Sequence, residues 1–166
     1  MDFEPWLVVL HVLSAFGFLA VHGISMGVLF RVRKERDRGR LAALLEFSAT
    51  YLTALYIFLL VLLVSGIASG ILGGHWTDGR LWLWVSLGLL IALVVAMYYY
   101  MTEPFTAMRS GLGIQGYQDK KKGIMPTPVS DAELEVLLMA QRPVIGATLG
   151  VSTIVVITVL MMMKPF

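Results

Sequence analysis

The chain has 166 residues, of which 58% are hydrophobic and 14% are charged, with a formal net charge of +2. Its mean hydropathy of +0.80 and its low charged fraction, against roughly 25% in soluble domains, exclude an ordinary soluble protein and indicate one integral membrane domain over residues 1–166. The sequence contains no cysteine, which excludes disulfides, thiolate metal sites and iron–sulfur clusters, and the small net charge does not indicate nucleic-acid binding.

The first apolar stretch, residues 6–30, contains no Asp, Glu, Lys or Arg. It is long enough to cross a bilayer core of about 30 Å as a helix. A basic segment follows at residues 31–40 and holds six Lys or Arg residues. Such a cluster beside a span is typical of the cytoplasmic side, where it contacts the anionic lipid of the bilayer.

Two further spans are expected over residues 44–72 and 81–101. The first of these is longer than the roughly 20 residues that a span needs, which predicts that it tilts or protrudes into the cytoplasm. A glycine-rich link at residues 73–80 is typical of a turn. The other span should end at Glu103-Pro104, because the residue before a proline is disfavoured in the helical region.

The stretch from residue 105 to residue 130 is expected to be a cytoplasmic loop. A capping box begins at Ser130, so a short amphipathic helix should cover residues 131–141 and lie at the inner membrane surface. Pro143 either begins the fourth span, residues 143–163, or kinks a continuous helix. The predicted fold is an all-α integral membrane four-helix bundle with one short cytoplasmic amphipathic helix.

Three spans carry a GxxxG motif, and small residues allow helices in lipid to approach closely. The expected role is packing inside the bundle, and the alternatives are a homodimer interface or room for a flat cofactor. The motifs are Gly23/Gly27, Gly66/Gly70 and Gly146/Gly150.

Two of the three histidines, His11 and His22, lie in the first span. They are eleven residues apart, so at about 100° per residue they differ by only about 20° around the helix. Ser14 and Phe18 lie on the same face. An unpaired polar group in hydrocarbon costs on the order of several kcal/mol, so this face should point into the bundle. In the simplest interpretation each ring hydrogen-bonds to a neighbouring helix, for example to Ser65.

The leading functional hypothesis is a b-type haem with His11 as an axial ligand, Ser14 bordering the porphyrin and Phe18 stacking on it. His22, about three turns deeper, would support the site or relay protons. The second ligand stays open between His75, a methionine (Met26, Met97 or Met101), water and a histidine of a second copy. Such a site would exchange electrons with a quinone or another redox partner.

Two alternatives remain open. Copper would suit His11, His75 and Met161 if they gather at the outer face, because imidazole and thioether ligands bind Cu(I). The other alternative is a non-enzymatic assembly or interaction protein, such as a homodimer built on the glycine motifs, because the sequence contains no complete catalytic set.

The first helix resembles the opening helix of a loose group of small bacterial four-helix membrane proteins. The resemblance rests on Leu10-His11 and on the run from Gly23 through Gly27-Val28-Leu29-Phe30 to Arg33. The group includes copper-resistance protein D domains, HemJ-type protoporphyrinogen oxidases and a predicted integral-membrane family of unknown function, to which this chain is most similar.

This resemblance implies a multi-pass protein of the bacterial inner (plasma) membrane with a redox or metal role. It also implies haem binding at His11, which matches the haem histidine of the HemJ-type proteins. Those proteins use a basic residue within a later span, and residues 81–100 contain no Lys or Arg. This difference argues against porphyrinogen oxidation.

The distribution of basic residues predicts the orientation. The segments 31–40 and 104–142 hold six and five Lys or Arg residues, whereas the remaining two are Arg80 and Lys164. Both termini should therefore lie outside. Reporter fusions after residues 40 and 79 should report opposite sides of the membrane, with the fusion after residue 40 cytoplasmic; the reverse pattern would contradict this orientation.

Overall fold

The structure is a computed structural model that describes residues 3–77 and 80–165, apart from the side chain of Gln118. The described residues form seven helices and no strand. Residues 78–79 of the expected turn lie outside the described residues. The helices are α1 (Glu4–Val32), α2 (Arg38–Thr50), α3 (Leu52–Leu72), α4 (Leu81–Gly111), α5 (Tyr117–Lys122), α6 (Asp131–Leu138) and α7 (Arg142–Met163).

Four helical stretches among the described residues are long and apolar enough to cross a membrane. This confirms the predicted all-α bundle of four apolar helices and makes the chain a multi-pass membrane protein. The stretches are Glu4–Val32, Arg38–Leu72, Leu81–Gly111 and Asp131–Met163.

Two helix boundaries differ from those expected. The second apolar stretch is divided at Tyr51 into α2 and α3. The prediction that the third span ends at Pro104 is wrong, because α4 continues through this residue to Gly111. Pro104 removes one backbone hydrogen bond, but the added turns bring Met108 into the core, where it is fully buried.

The spans pack as two pairs, in which α1 lies along α3 and α4 lies along α7. The two pairs contact each other much less extensively. Phe18 of α1 packs on Leu59 and Leu62 of α3, and Leu90 of α4 and Ile154 of α7 reach this cluster from the other pair. The interior is therefore dense within each pair and more open between the pairs.

Glycines set the close approach within each pair. A Cβ on Gly66 would lie 2.7 Å from Cε1 of His11, and a Cβ on Gly146 would lie 2.8 Å from Cβ of Tyr100. A larger residue at either glycine would push the helices apart. The GxxxG motifs of α3 and α7 thus have the predicted packing role through these residues.

The glycines of the first motif are placed differently. A Cβ on Gly23 or Gly27 would meet no atom within 4 Å. Both residues are exposed on the surface of α1. The motif of the first span therefore contributes no close helix contact within the described residues.

Arginines in the first loop, which runs from the end of α1 to the start of α2, connect that loop to the segment before α7. Arg38 donates to the carboxylate of Asp131 at 2.7 Å. Arg33 donates to the carbonyl oxygens of Leu138 and Ala140, at 3.2 and 2.7 Å, where α6 ends. The first loop and the segment before α7 therefore lie at the same end of the bundle, which we call the basic end.

The loop between α1 and α2 also neutralises part of its own charge. The backbone N–H groups of Arg36 and Asp37 donate to the carboxylate of Glu35 at 3.0 and 3.3 Å, and Arg31 pairs with the same carboxylate. The two backbone hydrogen bonds lower the pKa of Glu35. This side chain therefore keeps its negative charge to a lower pH than an isolated glutamate would.

The amphipathic helix α6 closes the basic end. Its predicted capping box is confirmed, since the Ser130 hydroxyl accepts the N–H of Glu133 and the Glu133 carboxylate accepts the N–H of Ser130. Its apolar residues Leu134 and Leu138 are buried against α1, α2 and α4. This face therefore packs on protein rather than on the membrane surface.

The helix after α6 begins next to a proline. Pro143 stands in the first turn of α7.

Candidate functional site between the helix pairs

His11 lies in the interface between α1 and α3. Its Nδ1 is 2.8 Å from the carbonyl oxygen of Leu62. Because a carbonyl can only accept, Nδ1 carries the proton and donates it, which leaves Nε2 of the neutral ring deprotonated. The ring also lies against Gly66. A neighbouring helix thus satisfies Nδ1 of His11, as the simplest interpretation predicted, but through its backbone rather than a side chain.

Ser14 and Phe18, which were expected to border a porphyrin, are engaged by the protein itself. The Ser14 hydroxyl donates to the carbonyl of Leu10 in its own helix at 2.7 Å. Phe18 is buried against Leu59 and Leu62. The face of α1 next to His11 is therefore packed directly on α3.

His22 differs from His11 in its hydrogen bonding. Its ring stacks on Phe18, with the ring centroids 5.9 Å apart and the planes 14° apart. Its Nε2 is buried and has no hydrogen-bond partner among the described residues. Leaving such an atom unsatisfied costs about 1–3 kcal/mol, and a group of this kind calls for an explanation such as a bound ion, water or ligand.

A glycine of α7 faces this nitrogen. A Cβ on Gly150 would stand 3.6 Å from Nε2 of His22 and 3.4 Å from Sδ of Met97 on α4. The space left by the missing side chain therefore borders an imidazole nitrogen and a thioether sulfur. We call these three residues the His22 notch. Histidine and methionine are both axial ligands of haem iron, and the methionine chain is flexible enough to adjust its sulfur.

The His22 notch adjoins a partly open groove between α1 and α7. The groove has a volume of about 410 Å³ and an almost wholly apolar lining, with His22 and Thr158 as its polar residues. Its size and apolar character fall within the range of ligand sites. Its lining residues are Leu19, His22, Gly23, Met26, Val151, Ile154, Val155, Thr158 and Val159.

The residues of the copper hypothesis lie toward the opposite end from the basic end. His75 stands beside Glu4, with its Nε2 3.7 Å from the carboxylate, which places it ~10 Å from the level of His11 along α1. Met161 lies in the last turn of α7. In residues 3–77 and 80–165 there is no group of three or more His, Cys, Asp or Glu side chains that could hold a metal ion.

A second cavity, of about 390 Å³, lies at the basic end between α4 and α7. The guanidinium of Arg142 pairs there with Glu103 and donates to the carbonyl of Tyr99 at 2.8 Å. Because the two charges neutralise each other, this cavity offers no free charge to a ligand.

Comparison with protein-family models, with curated proteins and with solved structures finds no match for this chain. The resemblance of the first helix to HemJ-type and copper-resistance proteins therefore stays a prediction from the sequence.

The contact between Gly66 and His11 can be tested with a double-mutant cycle. Gly66→Ala should lower the stability by about 1–3 kcal/mol, because its Cβ would overlap the imidazole, and this outweighs the roughly 1 kcal/mol gain in helix propensity. Thermal unfolding in detergent measures the effect. When His11→Ala has already removed the ring, Gly66→Ala should lower the stability of the protein only slightly or even raise it. An equal loss of stability with and without the His11 ring would contradict the packing of the ring on Gly66.

Proposed function

We propose that this membrane protein binds a b-type haem at the His22 notch and takes part in electron transfer within the membrane. The observation that carries the proposal is the buried Nε2 of His22, which lacks a hydrogen-bond partner among the described residues. Ligation to an iron ion would satisfy this nitrogen at a depth where water is scarce. The proposal moves the ligand from His11, which the sequence favoured, to His22.

The residues around His22 fit a haem in three respects. The imidazole offers a free nitrogen, and the thioether of Met97, which lies close to the space at Gly150, would offer a second ligand. The neighbouring groove supplies the apolar lining that a porphyrin requires. Gly23 adds no side chain to the groove wall on α1.

The residues near the His22 notch then have defined roles. Phe18 holds the His22 ring in place by stacking, and the valines of α7 that line the groove keep water away from the ligands. His11 fixes α1 against α3 and so sets the depth of His22. When bound, haem supplies one-electron redox chemistry, and the polarity of its surroundings tunes the potential. The groove gives a lipid-phase redox partner, such as a quinone, an approach to this site.

The proposal predicts the absorption spectra of two matched histidine variants. Protein produced with ample haem should show a b-type Soret band that shifts on reduction with dithionite. His22→Ala should lose most of this band, whereas His11→Ala should retain it, because the His11 ring packs against Gly66 in the α1–α3 interface, about three turns along α1 from His22. Gly150→Leu, which fills the notch, should lose it as well.

Gel filtration of each variant shows whether it still folds, so that a lost band can be assigned to the ligand. A colourless wild-type protein would contradict the proposal. A band that disappears in His11→Ala and persists in His22→Ala would assign the ligand to the outer histidine instead.

A specific observation favours assembly as a second candidate function. Gly23 and Gly27 form an open small-residue surface on α1, next to the groove between α1 and α7. Such surfaces pair helices in lipid. The second candidate is therefore a protein that forms a homodimer through α1.

Copper binding by His11, His75 and Met161 stays a prediction from the sequence alone.

The assembly hypothesis predicts that Gly27→Leu lowers the mass of the protein in mild detergent from dimer to monomer, because leucine blocks close helix approach. Light scattering combined with gel filtration measures the mass. Gly88→Leu is the matched control, since Gly88 also meets no atom within 4 Å but lies on α4. A monomeric wild-type protein, or equal loss of mass in both variants, would contradict a homodimer through α1.

A further inference from the structure

A compact turn follows α4 at the basic end. The N–H of Gly116 donates to the carboxylate of Asp119 at 2.9 Å. Helix α5 is followed by Gly123, whose φ of 65° lies in the left-handed region that favours glycine. The side chain of Gln115 donates to the carbonyl of Ile124 at 2.9 Å. These bonds hold the backbone of the turn in a fixed arrangement.

This turn carries three consecutive exposed lysines, Lys120, Lys121 and Lys122. None of them forms an ion pair within the part of the chain that the structure describes. Arginines at the same end are engaged instead, since Arg36 and Arg38 pair with acidic residues of α6. Three adjacent positive charges are therefore free to meet a partner outside the protein.

Exposed apolar side chains flank these charges. Tyr117 is 79% exposed, Ile124 is 51% exposed and Met125 is 71% exposed. Clustered lysines beside exposed aromatic and aliphatic side chains are typical of segments that lie in the interface of a bilayer. An acidic soluble partner would be attracted by the charges alone, so the apolar side chains favour lipid.

The position of the turn agrees with contact to lipid. It follows the end of α4, a helix long enough to cross a membrane, and the N–H of Val129 donates to the carbonyl of Gly111 at 3.0 Å, which brings the chain back to that end. The turn is thus held close to the end of α4. Lysine clusters beside a membrane helix are attracted to the negative surface of anionic lipids.

From this arrangement we propose that Tyr117, Lys120, Lys121, Lys122, Ile124 and Met125 form a lysine patch that binds anionic phospholipid headgroups and inserts its apolar side chains among them. The sequence had assigned lipid contact to the basic segment 31–40. Much of that segment is hydrogen-bonded to α6. The lysine patch is therefore a lipid contact in addition to the basic segment.

The absence of cysteine permits a direct test with one label. The full-length variant Met125→Cys carries a nitroxide or an environment-sensitive fluorophore and is reconstituted in bilayers of phosphatidylcholine, with or without phosphatidylglycerol. In the anionic bilayer the label should become accessible to a lipid-borne quencher and protected from an aqueous one. In pure phosphatidylcholine it should remain in water, and high salt should weaken the difference.

Two triple variants separate the lysine patch from general charge effects. Lys120→Gln, Lys121→Gln and Lys122→Gln together should abolish the lipid-dependent protection. Arg31→Gln, Lys34→Gln and Arg40→Gln together remove the same charge at the same end and should leave it intact. Unfolding curves show whether both variants keep the fold. A label that stays in water in the anionic bilayer, or one buried equally without the three lysines, would overturn the proposal.

Discussion

In hydrocarbon a buried polar atom has no water to satisfy it, so each one must find a partner within the bundle or in a ligand. The two histidines of α1 differ in this respect. His11 donates to the carbonyl of Leu62 on the adjacent helix, whereas Nε2 of His22 is buried without a partner among the described residues. This difference separates a ring that packs against Gly66 in the α1–α3 interface from one that lines the groove between the helix pairs.

The packing of the helices explains why the available histidine lies where it does. Gly66 and Gly146 allow α1–α3 and α4–α7 to pack as close pairs. The contact between the pairs is looser and leaves a groove of about 410 Å³ along α1 and α7. His22 faces this boundary. Gly150 leaves space there that borders Nε2 of His22 and Sδ of Met97. The open site is thus a consequence of dense packing elsewhere.

Much of this architecture was predictable from the sequence, because apolar length, basic loops and the capping box at Ser130 are local signals. The continuation of α4 through Pro104 was not, since it depends on the burial of Met108 by distant residues. The shared helix face of His11 and His22 was likewise visible in the sequence, but the hydrogen bonding that distinguishes the two rings was not. Their difference arises from the backbone carbonyl of Leu62 and from Gly150, and no sequence pattern brings these atoms next to α1.

The identity of the axial ligands tests the central claim most directly. Near-infrared magnetic circular dichroism of the oxidised, haem-loaded protein distinguishes histidine–methionine from bis-histidine ligation through a charge-transfer band. Binding at the His22 notch predicts the histidine–methionine signature, and Met97→Leu should remove it while haem stays bound to His22. A bis-histidine signature, or one unchanged by Met97→Leu, would contradict the site.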